Sequence, residues 1–252
     1  MKNALRSVAR IIARTFLPRI AYPVIRGPLR GARFILGTLA GEGGGATVYL
    51  NMIEPEQTSA FVNTLKGGQV FFDIGANVGY YTILGARLVG PRGRVLAFEP
   101  SPRNLSYLYR HTVLNRSGNV TIVPAACSDT MSLAVFSSGK NFAEGHLADA
   151  RDKNGVHDRR FLVPTITIDE VVRKLRISPD VIKIDVEGAE LSVLKGAEGT
   201  LRTAKSLIFL STHSVALRQT CLDYLATLGY AFEVLSRDKN TPSEFLARCV
   251  GR

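Results

Sequence analysis

The sequence predicts a doubly wound α/β domain with a mostly parallel sheet. Short apolar runs alternate with longer helical stretches between Val70 and Val123, and again between Val181 and Leu235. The first of these runs drives straight into a glycine turn, "FFDIGANVGYYT". Strand, helix and strand at this spacing require right-handed crossovers, which place strands side by side in one direction.

The elements follow in order. Residues 1–30 form a basic arm, and residues 31–66 lead into the domain. In that lead-in, "RFILG" and "ATVYLN" flank the glycine-rich "TLAGEGGG" and predict a hairpin. Glu54–Leu65 reads as a helix stopped by Lys66-Gly67-Gly68. The main domain, 67–252, opens with a strand at Val70–Ile74 and a helix at Val78–Val89 that ends at Gly90-Pro91. A strand at Arg94–Phe98 precedes a helix at Pro102–Asn115, with Ser101 as N-cap and proline at the first helical position. Val120–Val123 is the third strand.

A middle insertion, about 130–165, follows. It holds strand candidates "SLAVFSS" and "RFLVPTITI" around the polar, loop-like "GKNFAEGHLADARDKNG". Thr167 and Glu170 have capping-box spacing for a short helix to Leu175, with Asp169 as the alternative cap. The alternation then resumes with a strand at Val181–Ile184, a helix at Glu190–Thr203 and a strand at Leu207–Leu210. A helix at Ser214–Leu228 and a last strand at Phe232–Leu235 complete it.

The charge is unevenly distributed. The net charge is +11, and eight cations from Lys2 to Arg33 precede the first acid, Glu42. With those eight set aside, 24 of the 32 basic residues face 21 acidic ones, so the core is nearly neutral. Lys2, Arg6, Arg10 and Arg14 recur every four residues, one stripe of a helix, with Leu5, Val8, Ile12 and Phe16 on another side. Such a helix packs its apolar side on its own domain, or lies on an anionic membrane surface as a peripheral contact. No apolar run reaches the roughly 18 residues of a spanning helix. The three cysteines form no CxxC pair, which points to a reducing, cytoplasmic setting rather than a disulfide framework. The near-neutral core and the lack of an aromatic-basic stripe argue against nucleic acid as a partner.

The glycine turn carries the first chemical signal. Gly75-Ala76-Asn77-Val78-Gly79 lies at the carboxyl end of the first strand, where open parallel sheets bind ligands. A dinucleotide fingerprint is G-x-G-x-x-G. Here Asn77 stands where the second glycine would admit a pyrophosphate. Glu99 closes the next strand, 20 residues after Gly79, placed to accept both hydroxyls of a ribose. Asp73 can face a positive charge. A nucleoside with a short cationic tail fits this set, as in S-adenosyl-L-methionine.

With those residues in view, the chain resembles the FkbM-type methyltransferases. The matching stretches are "FFDIGANVGYYT", "VLAFEPSPRNLSYL", "NVTIVPAACSD", "TITIDEV", "VIKIDVEGAELSVLKGA" and "LIFLSTHS", in that order. They cover roughly Glu54 to Leu235. The resemblance implies a Rossmann-like methyltransferase fold with an antiparallel last strand, S-adenosyl-L-methionine as cofactor, and O-methylation of a small-molecule or glycosidic hydroxyl. Carried over by position, it implies Asp73, Gly75, Asn77, Gly79 and Glu99 as donor-binding residues, and Ser128 and Asp129 near the adenine. For Asp129, a plain turn acid is the alternative. The basic arm falls outside the resemblance.

Methyl transfer to an alcohol needs alignment and somewhere for the hydroxyl proton to go. "KIDVEGAE" supplies Lys183, Asp185 and Glu187 at a two-residue spacing, which shares one side if the strand continues. Asp185 and Glu187 can orient the acceptor, take its proton, or hold a divalent metal. Lys183 is either part of that site or half of a structural ion pair. Glu187 and Glu190 have a second reading as acids favoured at a helix amino end. His213, in "STHS", ends the next strand, where a neutral imidazole makes a general base. His146, in the middle segment, is a further histidine candidate. A nicotinamide-dependent oxidoreductase on the same sheet is the rival enzyme class, and a membrane-binding module using the arm is the rival outside enzymes.

Overall fold

The computed structural model describes residues 20–38, 46–138, 145–148, 159–236 and 243–250. Most of the predicted basic arm therefore lies outside the described residues. Among those described, no helix is long and apolar enough to cross a membrane.

The lead-in differs from expectation. Strand β1 (Ala21–Pro23) pairs antiparallel with β2 (Arg33–Ile35), Ala21 opposite Ile35. "RFI" is thus a strand, but its partner precedes it in sequence. The β-branched "ATVY" suggests a strand and instead forms a single helical turn, α1 (Ala46–Tyr49). Tertiary contacts override its propensity: the Tyr49 hydroxyl donates to the Phe34 carbonyl at 2.7 Å, and Ile25 N donates to the Tyr49 carbonyl at 3.0 Å. Helix α2 (Pro55–Thr64) follows.

The main alternation then runs β3 (Val70–Ile74), α3 (Tyr80–Val89), β4 (Arg94–Phe98), α4 (Pro102–Leu114) and β5 (Val120–Val123). The middle segment builds its own four-stranded sheet. It contains β6 (Ala126–Cys127), β7 (Ser132–Ser138), β8 (Gly145–Ala148) and β9 (Arg159–Ile166), in the order β6-β9-β7-β8. The polar stretch read as loop contains β8, and there His146 pairs with Ser137. Helix α5 (Ile168–Leu175) is capped by Thr167, whose hydroxyl accepts from Glu170 N at 3.1 Å.

After β10 (Val181–Ile184), the single helix expected over 190–203 is two: α6 (Glu190–Lys195) and α7 (Glu198–Ala204). Asp169 causes the break. Its backbone N donates to the Gly196 carbonyl, and its carboxylate caps α7 by accepting from Gly199 N and Thr200 N at 2.9 and 2.7 Å. Then come β11 (Leu207–Ser211), α8 (Val215–Thr227), β12 (Tyr230–Val234) and a strand the sequence reading did not include, β13 (Glu244–Cys249).

The main sheet has seven strands in the order β12-β13-β11-β10-β3-β4-β5. β13 slots between β11 and β12, antiparallel to both, while the β11-β10-β3-β4-β5 run is parallel. The antiparallel last strand is therefore β13 rather than the expected Phe232–Leu235. Strand order reverses between β3 and β10, the point where such sheets bind ligands. Alternate residues feed cores on opposite faces: Phe72, Ile74, Ile182 and Ile184 on one, Phe71 and Val181 on the other. In this apolar centre, Lys183 of β10 stands directly beside Asp73 of β3.

Candidate active site

Backbone geometry sets the glycine turn. Gly75 N and Ala76 N both donate to the Phe98 carbonyl, at 3.0 and 2.9 Å, pinning the turn to the end of β4. Gly75 has φ +83°, and a Cβ there would lie 1.8 Å from the Asp185 carbonyl oxygen. Only glycine tolerates both conditions. Asn77 adopts φ +52°, a left-handed conformation that asparagine tolerates better than most residues. Gly79, at φ +97°, caps α3.

Two buried carboxylates support the turn. Glu99 accepts from Asn77 N through Oε2 at 2.7 Å and from Ser101 N through Oε1 at 2.8 Å. Burial raises its pKa to about 7, against the lowering effect of these donors. Asp73 accepts from the Thr82 hydroxyl at 2.5 Å, and burial raises it to about 6, with the Lys183 charge pulling the other way. The sequence reading did not include Thr82, although it stands at the predicted helix start. Neighbouring His111 is structural. Its Nδ1 donates to the Val78 carbonyl at 2.7 Å and its Nε2 accepts from Ile35 N at 3.0 Å, tying the lead-in to the turn.

The second half of the site meets the first at the Gly75–Asp185 contact. Lys183 is only 2% exposed. Its Nζ donates to Asp185 Oδ2 at 2.7 Å and sits 4.6 Å from the centre of the Tyr81 ring. Burial opposes charge on both partners; the Asp185, Glu54 and Asp73 charges nevertheless raise Lys183, and the Lys183 ammonium lowers Asp185. The strand does not continue to Glu187 in extended form. Glu187 has φ +52° and Gly188 φ +107°, so a left-handed turn, not the two-residue period, carries Glu187 to the site.

His213 follows β11 and converges on these acids. Its Nδ1 lies 2.6 Å from Glu190 Oε1, while Nε2 lies 3.5 Å from Asp185 Oδ1 and 3.4 Å from Glu187 Oε2. Burial opposes charge on the imidazole, but the Glu190 hydrogen bond and the three carboxylates hold its pKa at about 9. These carboxylates favour the charged form of the His213 ring, whereas the sequence pointed to a neutral base. Glu190 is fully buried; its Oε1 also accepts from Gly188 N at 3.1 Å, and its Oε2 has no hydrogen-bond partner. The sequence reading named Glu190 but did not link it to His213, which lies 23 residues away.

More acids surround this cluster. Glu54 accepts from the Tyr81 hydroxyl at 2.8 Å. Glu244, at the start of β13, has its pKa raised to about 7, first by burial and then by Glu54. Ser128 and Asp129 contact each other, Ser128 Oγ donating to Asp129 Oδ1 at 3.2 Å. The Ser128 carbonyl packs against Gly196, where a Cβ would come within 2.0 Å. His146 pairs through its backbone on β8.

Comparisons with known proteins bear on the family and the fold. The family model described as the methyltransferase FkbM domain matches residues 73–232, more than half of the chain. A hexuronic acid methyltransferase, AglP, of Haloferax volcanii is 30% identical over 144 residues, covering 55% of this chain and 54% of that protein. The methyltransferase sdnD of Sordaria araneosa is 27% identical over 169 residues, covering 54% of this chain and 63% of that protein. The chain thus spans between half and two thirds of these relatives. The crystal structure of a methyltransferase FkbM from Methylobacillus flagellatus KT shares the fold, with TM-score 0.51 and 19% identity over 80% of this chain and 53% of that one.

Proposed function

The chain belongs to the FkbM methyltransferase family, and from that premise we propose that it transfers a methyl group from S-adenosyl-L-methionine to a hydroxyl of a small-molecule or glycosidic acceptor. One observation carries the reading: a turn suited to a nucleoside and a convergent acid–histidine cluster meet back to back at Gly75 and the Asp185 carbonyl.

The turn fits the donor by its chemistry. Gly75 and Gly79 let the turn close tightly on the Asp185 carbonyl and the Leu108 side chain, where a Cβ would lie 1.8 and 2.7 Å away, and no lysine or arginine lies between Gly75 and Gly79 to meet a phosphate. Glu99 keeps lone pairs free for the ribose hydroxyls while its backbone donors fix its orientation. Asp73 offers negative charge to a cationic tail. The donor, when bound, supplies a methyl group already activated by a sulfonium.

The rest falls to the cluster. Lys183 is a positioning residue that holds Asp185 in place. Asp185 and Glu187 orient the acceptor hydroxyl, and a carboxylate of the cluster takes up its proton. Ser128 and Asp129 border the donor side. The hexuronic acid substrate in AglP's name favours a sugar among the acceptor classes. Family membership leaves the nicotinamide-dependent reading without support.

Calorimetry with S-adenosyl-L-methionine, S-adenosylhomocysteine and NAD tests the cofactor. Binding of the first two without NAD is expected; NAD binding alone overturns the reading. A screen of hydroxyl acceptors with labelled donor tests the chemistry. Label in an alkali-stable ether supports O-methylation of a hydroxyl, and label released as methanol by mild alkali points instead to a carboxylate.

A further inference from the structure

We propose that Asp185, Glu187 and His213 bind one first-row divalent cation, of the Mn2+ or Zn2+ class, positioned to hold the acceptor's hydroxyl oxygen. The role at the hydroxyl rests on the O-methyltransferase reading; the binding site itself rests on geometry.

One ligand atom from each residue lies within 4.8 Å of the other two. The Nε2 distances, 3.5 Å to Asp185 Oδ1 and 3.4 Å to Glu187 Oε2, are nearly equal. Both exceed the roughly 2.7–2.9 Å of a charge-assisted hydrogen bond. They match ligand atoms around a metal: two atoms each about 2.1 Å from a tetrahedral ion stand roughly 3.4 Å apart. A single N–H on Nε2 reaches both carboxylates only as a long three-centre bond, but a cation between them can be bound by all three.

The surroundings of His213 support this geometry. Nδ1 donates to Glu190, so in the neutral ring the Nε2 lone pair faces Asp185 and Glu187. A carboxylate behind the histidine is the usual outer partner of a metal-bound imidazole. Glu190 is fully buried, and its Oε2 is left without a hydrogen bond. Its charge is therefore answered mainly through His213. Asp185, Glu187 and Glu190 bring three carboxylates around His213, and Lys183 pairs with Asp185. A divalent cation balances them with the imidazole neutral. The mixed imidazole and carboxylate set favours Mn2+ or Zn2+ over Ca2+ or Mg2+, which prefer oxygen alone. Asp185, Glu187 and His213 have side chains 25%, 31% and 31% exposed, so an acceptor can reach the remaining coordination positions.

The test uses the full chain stripped with EDTA and titrated with Mn2+, then with Zn2+, by calorimetry. Pulsed electron paramagnetic resonance of the Mn2+ complex reads nitrogen coupling. One Mn2+ per chain with coupling to a single histidine nitrogen is expected. Glu187→Gln and His213→Ala should each weaken binding at least tenfold, and Glu190→Gln by about tenfold. Thermal unfolding of each variant checks folding, and the partly exposed Glu187→Gln serves if His213→Ala does not fold. Failure of the intact chain to bind either metal more tightly than Glu187→Gln overturns the site. Bound Mn2+ without nitrogen coupling overturns the role of His213. S-adenosyl-L-methionine binding is measured on the same metal-free chain. Donor binding without metal binding rejects this site and leaves the methyltransferase reading standing; metal binding without donor binding does the reverse.

Discussion

The two halves of the candidate site are built from different materials. The glycine turn is held by backbone: Gly75 and Ala76 bond to Phe98, and Asn77 and Ser101 bond to Glu99, all within one strand–turn–helix–strand unit. The acid–histidine cluster is held by side chains. Asp185, Glu187, Glu190 and His213 come from two neighbouring strand ends and a helix start, and meet only when β10 and β11 lie side by side. A backbone-defined site survives most side-chain changes but not a misplaced Cβ. A side-chain-defined site can be altered one function at a time.

Substitutions can break or sharpen that contrast. The largest effect is expected for Gly75→Ala. It forces a methyl against the Asp185 carbonyl in a left-handed conformation, and should destabilise the chain by at least about 3 kcal/mol. Because both halves share this contact, donor binding and Mn2+ binding should fail together. Retention of either in calorimetry would show that the halves are less coupled than described.

Glu99→Gln should touch the donor half alone, lowering S-adenosyl-L-methionine affinity ten- to a hundredfold while leaving Mn2+ affinity unchanged. It also tests pH linkage. Burial raises the folded pKa of Glu99 from 4.5 to about 7, above its unfolded value, so its contribution to stability is greatest below pH 4.5 and is lost as pH rises through 7. Glutamine does not titrate. The stability of the natural chain relative to Glu99→Gln should therefore fall by roughly 3 kcal/mol between pH 4.5 and pH 8, as read by thermal unfolding. A pH-independent difference would contradict the buried carboxylate.

Lys183→Met removes the ammonium beneath Asp185. Asp185 retains partial exposure, so the loss should be about 2 kcal/mol rather than the full penalty of a buried orphan charge. As a positioning change it should lower kcat with little effect on donor affinity. An unchanged kcat would make the pair purely structural. The smallest effect is expected from Asp129→Asn, a few-fold loss of donor affinity, about 1 kcal/mol. No change in affinity at all would mark Asp129 as a turn acid.

Legibility from sequence follows the same division. The glycine-turn half can be read because its residues lie within one local unit, and because glycine spacing reports backbone geometry directly. Lys183, Asp185, Glu187 and His213 can each be singled out as charges at apolar strand ends. Their arrangement cannot: Glu187 arrives through a left-handed turn, and Glu190 becomes the partner of His213 only across two chain segments. The lead-in misleads because "ATVY" has strand propensity, while its neighbours impose a helical turn. Helix 190–203 divides because Asp169, outside it, captures its middle. β13 escapes notice because six residues with three adjacent buried positions, Phe245, Leu246 and Ala247, show no clear period.

The sequence by itself determined the parallel α/β core, the glycine turn and the acid that follows it, because strand period, helix stops and glycine spacing are local properties of the chain. Tertiary structure alone decided where β13 inserts, which acid bonds His213, and that one atom each of Asp185, Glu187 and His213 lie within 4.8 Å of one another. Those depend on strand order and loop packing, which bring together residues that no local pattern connects.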